Sequence, residues 1–144
     1  MSDRERAAVP SGFTDDDYRS ILRFRTRLRR FLAWSAEQAR RAGLTPAQHQ
    51  LLLAVRGLAG PSGPTIGELA SCLQLRHHSA VELVDRAEQA GLVHRSVDAE
   101  DRRVVRVTLQ PKGAAALEAL TAVHAEELRS LASGEFLPHL PERA

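Results

Sequence analysis

The sequence predicts an all-α fold with a small β-wing, and three observations carry that reading. Apolar residues recur at helical spacing through most of the chain. Two β-branched, partly alternating runs, residues 92–97 and 104–109, flank a charged tip and read as one hairpin with a longer loop. Immediately before that hairpin come two short helical segments joined by a tight turn at Gln74-Leu75-Arg76.

Composition fits one compact unit. The 144 residues are enough for a modest core. Apolar residues make up 43% and charged residues 26%, which excludes disordered and fibrous classes. No run approaches the ~18 uninterrupted apolar residues of a membrane helix. The opening stretch MSDRERAAVPSG carries charge but no apolar segment, so it does not read as a secretory signal. One cysteine, Cys72, allows no internal disulfide and fits a reducing cytoplasm. A soluble, cytoplasmic protein without a membrane partner is the expectation.

Each element follows from its own signals. Residues 1–13 are polar, contain Pro10 and Gly12, and read as a flexible arm. Thr14 followed by Asp15, Asp16 and Asp17 is a helix start, a capping hydroxyl with acids near the positive end of the dipole. Ile21, Phe24, Leu28, Phe31 and Leu32 form its apolar stripe, and Gly43 ends it after about Ala42. That helix is longer than a lone small core needs, which suggests packing against another chain. Thr45-Pro46 opens a second helix whose core face is read as Leu52, Leu53, Val55 and Leu58. Gly60-Pro61-Ser62-Gly63-Pro64 is the clearest break. Thr65 caps a short helix over 66–73, and a helix of about four turns then ends at Gly91. Pro111 opens the last long helix, to about Leu131, with Leu117, Leu120, Val123, Leu128 and Leu131 on its apolar side. Ser133-Gly134 breaks it, leaving a short tail with Pro138 and Pro141.

The domains expected are therefore an arm (1–13), N-terminal helices (14–59), a lobe of two helices and a hairpin (60–110), and a last helix with tail (111–144). Two helices, a turn and a charged β-ribbon make a winged helix-turn-helix, an arrangement that reads double-stranded DNA. Net charge is only +2, too small to argue for a polyanion partner by itself. The kind of cation says more: the basic set is 19 Arg with Lys112, and Arg suits bidentate phosphate and guanine contacts.

Leu69-Ala70, Leu73, Leu83-Val84-Asp85-Arg86, Gly91-Leu92-Val93, the wing's Asp98 and Asp101-Arg102-Arg103, and Leu109-x-Pro-x-Gly113 occur in that order. Over roughly residues 15–132 the pattern resembles the MarR family of bacterial transcriptional regulators. The resemblance implies a homodimer joined through its first and last helices, with two DNA-reading lobes. It also implies repression relieved by a small, often aromatic and anionic, effector held between the dimer region and the lobe. The chain departs from the family at Arg76, where a capping Ser is usual, and at Gln74, often Gly. Val81 and Glu82 stand where Thr and Arg are common, and the tail is shorter.

Candidate residues fall into two groups. On the second helix of the lobe, Arg76, His77, His78, Ser79, Glu82 and Arg86 fall mainly on one side, with Ala80, Leu83, Val84 and Ala87 inward. They are the major-groove candidates, against the plainer reading of a solvated polar face. At the wing, Arg103 is the minor-groove candidate and Arg102 and Arg95 are phosphate candidates. The resemblance implies that Asp101 pairs with an Arg and stiffens the tip. The effector candidates are Phe24, Arg27, Phe31, Trp34 and His49, Arg27 coming from a run of six Arg without an acid between residues 19 and 30. The plain alternative is a solvated basic face.

Other chemistry is not indicated. Adjacent His77 and His78 point to different faces and have no third ligand at useful spacing, so no metal or cofactor is expected. No hydrolase, zinc-protease or nucleotide-binding motif occurs, so an enzyme is not expected. Two other functions compete with DNA regulation. One is a protein-interaction module that has lost DNA binding. The other is an oxidant sensor using Cys72, although an inert thiol beside core-facing Leu69, Ala70 and Leu73 is the default. The DNA reading predicts a pseudo-palindromic site with half-sites about one turn, ~10 bp, apart.

Overall fold

The computed structural model describes residues 12–58, 60–135 and 137–142. Its elements in order are α1 (Asp15–Arg41), α2 (Pro46–Gly57), α3 (Ile66–Leu73), α4 (His77–Gln89), β1 (Val93–Val97), β2 (Val105–Leu109) and α5 (Pro111–Ala132). The expected arm lies outside the described residues except for Gly12 and Phe13. No described helix is long and apolar enough to cross a membrane.

Local chemistry sets the boundaries. The Thr14 hydroxyl accepts from the Asp17 N–H at 3.2 Å while Asp17 accepts from the Thr14 N–H at 2.7 Å, a reciprocal cap on α1. Thr45 and Gln48 repeat this arrangement at α2, with Pro46 inside the first turn. The Thr65 hydroxyl caps α3 through the Glu68 N–H at 3.1 Å. Arg76, at the start of α4, makes no side-chain cap. The chain stops leaving α1 and α4 use left-handed Gly43 and Gly91, with φ of 81° and 75°. The stop after α3 uses Gln74, at φ 54°, a conformation that strains an L side chain.

The chain divides into two compact units. Among the described residues, the first comprises those of 12–33 and 126–142, the second those of 34–125. The boundaries that the sequence suggested at 59/60 and 110/111 both lie inside the second unit.

In the first unit, α1 exposes Tyr18, Leu22 and Leu32 at 54%, 61% and 57%. Arg27, half-buried, donates to Glu127 at 2.9 Å. Ile21, Phe24 and Phe31 are partly covered, whereas Leu28 and Leu32 of the expected stripe are exposed.

The second unit contains the core. Leu51, Leu52, Leu69, Val84, Leu92, Val93 and Val107 are almost fully buried, drawn from α2, α3, α4 and the hairpin. Each such side chain contributes about 1.5–3 kcal/mol by leaving water. Leu53, expected in this core, is half exposed, and Leu51 takes its place. Three successive leucines cannot all face inward at 100° per residue, and the structure selects the other phase. The same correction applies on α5: Leu117 and Leu120 are buried, but the next inward residue is His124, and Val123 is half exposed.

The two strands pair antiparallel, with Val93 opposite Leu109, Arg95 opposite Val107 and Val97 opposite Val105. The root of the hairpin is tied to the loop before α3 by a Thr65–Arg106 bridge and a Val107 N–H to Pro64 carbonyl bond of 2.9 Å. Gly63 lies so close to Val107 that a Cβ there would sit 2.2 Å from the Val107 carbonyl oxygen.

Candidate nucleic-acid interface

Helix α4 is amphipathic in the manner its sequence suggests. Ala80, Val84 and Ala87 are buried and Leu83 is partly covered, which seals one row against the core. Arg76, His77, His78, Glu82 and Arg86 are exposed, and Ser79 is half-buried. The first turn of α4 therefore presents two imidazoles and a guanidinium beside unsatisfied backbone N–H groups, a chemistry suited to acceptor atoms and anions.

The wing tip is organised by two carboxylates. Asp98 accepts from the N–H groups of Glu100 and Asp101 at 3.2 and 3.0 Å and from Arg106 Nε at 2.7 Å. Arg106 also donates to the Gly63 carbonyl at 3.0 Å, which joins tip, strand and loop. The Arg106 bond and then the Asp101 N–H hold the Asp98 carboxyl below its ordinary range. Asp101 accepts from Arg103 Nε at 3.1 Å and Nη2 at 3.3 Å, and the Arg103 contacts likewise lower its carboxyl pKa. Arg103 itself has a side chain 91% exposed, and Arg102 is exposed as well.

His77 and Arg103 meet at one place. A cleft of about 370 Å³ is lined by Thr65, Ile66 and Gly67 of the α3 entrance, His77 and Val81 of α4, and Arg95, Arg103, Val104 and Val105 of the hairpin. The start of α4 and the wing cation thus border the same concavity.

Arg95, the expected phosphate candidate, makes ion pairs within the protein. Its guanidinium pairs with Asp85 and lies 3.4 Å from Glu88, and its backbone N–H donates to Glu88 at 2.8 Å. That backbone bond, ahead of the guanidinium's charge, holds the Glu88 carboxyl below its ordinary value.

The effector candidates divide between the units. Phe24, Arg27 and Phe31 belong to the first, Trp34 and His49 to the second. In the second unit, Trp34 lies 4.8 Å from the His124 ring and His49 lies 5.1 Å from it, centroid to centroid. His124 Nδ1 meets the Leu120 carbonyl at 2.7 Å, so that nitrogen carries the proton and donates. Its Nε2 lies 2.8 Å from the Ser35 hydroxyl oxygen. His49 is buried, and its Nδ1 has no hydrogen-bond partner among the described residues. Burial and then the neighbouring His124 push its pKa down. Cys72 is an exposed free thiol.

Sequence reasoning missed Arg106, Asp85, Glu88, Ser35 and His124 as structural polar residues. His124 had a signal: it continues the buried series Leu117, Leu120 at helical spacing. The Arg106–Asp98 bond and the Arg95 pairs join residues eight, ten and seven positions apart through a fold, which spacing alone does not specify.

A sequence model of the MarR family matches residues 42–104. A Bacillus subtilis (strain 168) protein described as the uncharacterized HTH-type transcriptional regulator YsmB is 37% identical over 67 residues, 46% of this chain and 46% of the relative. The match thus spans about half of that relative's length. Among solved structures, a MarR family transcription regulator shares 26% identity at a TM-score of 0.70, covering 83% of this chain and 78% of the other. S. aureus MepR in its complex with DNA shares 26% identity at a TM-score of 0.66, covering 84% of both chains. Wild-type apo MarR from E. coli shares 25% at 0.64, covering 81% and 82%.

Proposed function

This chain is of the MarR family over residues 42–104, and from that premise we propose a cytoplasmic, homodimeric regulator of transcription that binds double-stranded DNA. The single observation that carries the reading is the shared cleft. His77 at the start of α4 and Arg103 at the wing tip border one concavity, and the opposite row of α4 is sealed in the core. MepR, similar in fold and 26% identical, is solved as a complex with DNA, which supports DNA binding for this chain.

The mechanism has two parts. Arg76, Arg86, Arg102 and helix N-termini meet phosphates, which gives affinity that falls with salt. His77, His78, Ser79 and Glu82 approach base edges in the major groove, where Glu82 can accept from a cytosine amino group. Arg103 enters the minor groove, where a narrow A·T tract concentrates negative potential. Asp101 orients Arg103, and Arg95 braces the wing from within.

Pairing of two copies is supported by α1. Tyr18, Leu22, Arg25, Arg29 and Leu32 follow a four–three spacing along one face, and its three apolar members are exposed. Two such subunits place recognition helices about one turn, ~10 bp, apart on a pseudo-palindrome. The regulator is a repressor relieved by a small aromatic anion. In the second unit Trp34 is the candidate stacking ring and His49, buried with its Nδ1 unpaired among the described residues, the candidate polar contact. The effector acts only to the extent that it favours one lobe arrangement over another.

Selection of bound duplexes from a random pool, followed by titration at two salt concentrations, tests this. A two-fold symmetric site and an affinity that drops steeply with salt are expected. A folded protein with no duplex affinity at low salt would replace this reading with the protein-interaction module.

A further inference from the structure

We propose that Asp85 and Glu88 are positioning residues that grip Arg95 and hold the wing at a fixed inclination to α4, so setting where Arg103 falls relative to the bases under that helix. The inference deepens the DNA reading and rests on it.

Asp85 and Glu88 stand three residues apart on α4, neighbours on one helix face. Both meet the same residue of β1. The Arg95 N–H donates to Glu88 Oε2 at 2.8 Å, its Nε and Nη2 lie 3.4 Å from Glu88 Oε1, and its Nη1 pairs with Asp85 Oδ1. The backbone bond fixes the strand's position, and the guanidinium, hydrogen-bonded to Glu88 and ion-paired with Asp85, restricts its rotation.

The wing needs such a brace. Leu92 and Val93 root β1 in the core, but Ser96 and Val97 beyond them are exposed. Between the first turns of α4 and β2 lies the 370 Å³ cleft, with Val81 on one wall and Val104 and Val105 on the other. Val81 and Val105 on its two walls pack against the core, and the side chains at the open border of the cleft add to what sets the angle. Arg106 ties β2 to Gly63, on the loop before α3. Arg95 makes the tie to α4.

The charge balance favours bracing over phosphate contact. One guanidinium sits between two carboxylates, and a cluster with excess negative charge repels a phosphate. The Arg95, Asp85 and Glu88 side chains are 37%, 40% and 31% exposed, a setting in which ion pairs contribute little to folding stability. Position, rather than stability, is what this trio controls.

The double variant Asp85→Asn/Glu88→Gln keeps shape and removes both charges. Two measurements read its effect. First, spin labels on native Cys72 and on Glu100→Cys at the wing tip, in samples diluted with unlabelled chain, report the distance from α3 to the tip. The distribution is expected to be narrow in the parent and clearly broadened in the double variant; an unchanged distribution in a folded protein overturns the proposal. Second, Arg103→Ala is introduced into both backgrounds and duplex affinity is compared. A loss of about tenfold in the parent is expected to shrink to about twofold without the clamp, the non-additivity of coupled residues. An equal loss in both backgrounds sinks the clamp and leaves the DNA reading standing. A parent that binds no duplex at low salt removes both. Should the double variant not fold, Arg95→Lys, which keeps the charge and loses the fork, serves in its place for both measurements.

Discussion

Asp101 holds Arg103 by two oxygens, with Nε 3.1 Å from Oδ1 and Nη2 3.3 Å from Oδ2, while the Arg103 side chain is 91% exposed. A free arginine at a hairpin tip samples many rotamers and must lose that freedom on binding. A tethered one has lost part of it beforehand, which lowers the entropic cost of docking.

Replacing either residue therefore has a different signature. Arg103→Ala should weaken duplex binding about tenfold and flatten any preference for A·T pairs under the wing, in line with the ~1–3 kcal/mol of a specific contact. Asp101→Asn keeps the cation and loosens it, so the A·T preference should fall while overall affinity changes less. Fluorescence anisotropy on matched duplexes differing only at the flanks measures both. Equal flank preference in wild type and Asp101→Asn would show that the tether is not used.

Glycine positions separate steric need from backbone need. A Cβ at Gly113 would lie 2.1 Å from the Leu92 carbonyl oxygen, so α5 can enter beside β1 only without a side chain there. Gly113→Ala should destabilise the fold by at least the ~1–3 kcal/mol typical of overpacking. At Gly43, with φ 81°, an added Cβ would meet nothing within 4 Å, so Gly43→Ala should cause only the ~1–2 kcal/mol penalty of the left-handed conformation. Urea denaturation of the two variants orders them. A milder effect at Gly113 than at Gly43 would contradict the close approach to Leu92.

Acid should weaken the second unit in two windows. His49 has a lowered pKa from burial and from His124, so the folded chain resists the proton that the unfolded chain accepts. Its contribution is complete above about pH 6.5, the unfolded value, and is lost as pH falls toward the folded one. Asp98 and Asp101 also have lowered values, but from carboxylate reference points. Their contributions persist above about pH 4 and disappear only below it. Stability measured by urea at pH 5–8 should thus decline as pH falls, and His49→Gln should flatten that slope while leaving the lower window in place. An identical slope in the variant would assign the titration to other groups.

What the sequence disclosed and what it hid follow from the range of the signals. The inward row of α4, the capping threonines and the hairpin are written in residues a few positions apart, and their spacing carries their structure. Leu53 is hard to place from sequence because Leu51-Leu52-Leu53 satisfies two helical phases equally well. The Ser35–His124 bond joins residues 89 apart, and no local pattern announces it. Arg95 illustrates the middle case. Its charge and place on a wing suggest phosphate, and only the folded approach of Asp85 and Glu88 shows the ion pairs it makes within the chain.

The exposed stripe on α1 makes a prediction about assembly. Leu22 and Leu32 are 61% and 57% exposed on the face that also carries Tyr18. Leu22→Glu/Leu32→Glu should leave the second unit folded and shift the protein to monomer in sedimentation velocity, with duplex affinity falling together with assembly because both half-sites are no longer held at once. A dimer of undiminished strength would place the pairing surface elsewhere.

Arg76 sets stability against affinity. It occupies the N-cap of α4, where its side chain makes no capping hydrogen bond, and it leaves the first-turn N–H groups without the usual hydroxyl partner. Arg76→Ser supplies that hydroxyl and should stabilise the fold by about 1 kcal/mol, the usual worth of a cap. The same change removes a cation from the helix end proposed to face the phosphates, so duplex affinity should fall and the salt dependence should lose about one phosphate's share. The two effects have opposite signs and separate readouts, urea melting for one and a salt titration of binding for the other. A variant more stable yet unaltered in affinity and salt slope would remove Arg76 from the interface, whereas one weaker in binding but no more stable would mean that the α4 N-terminus is already satisfied by water.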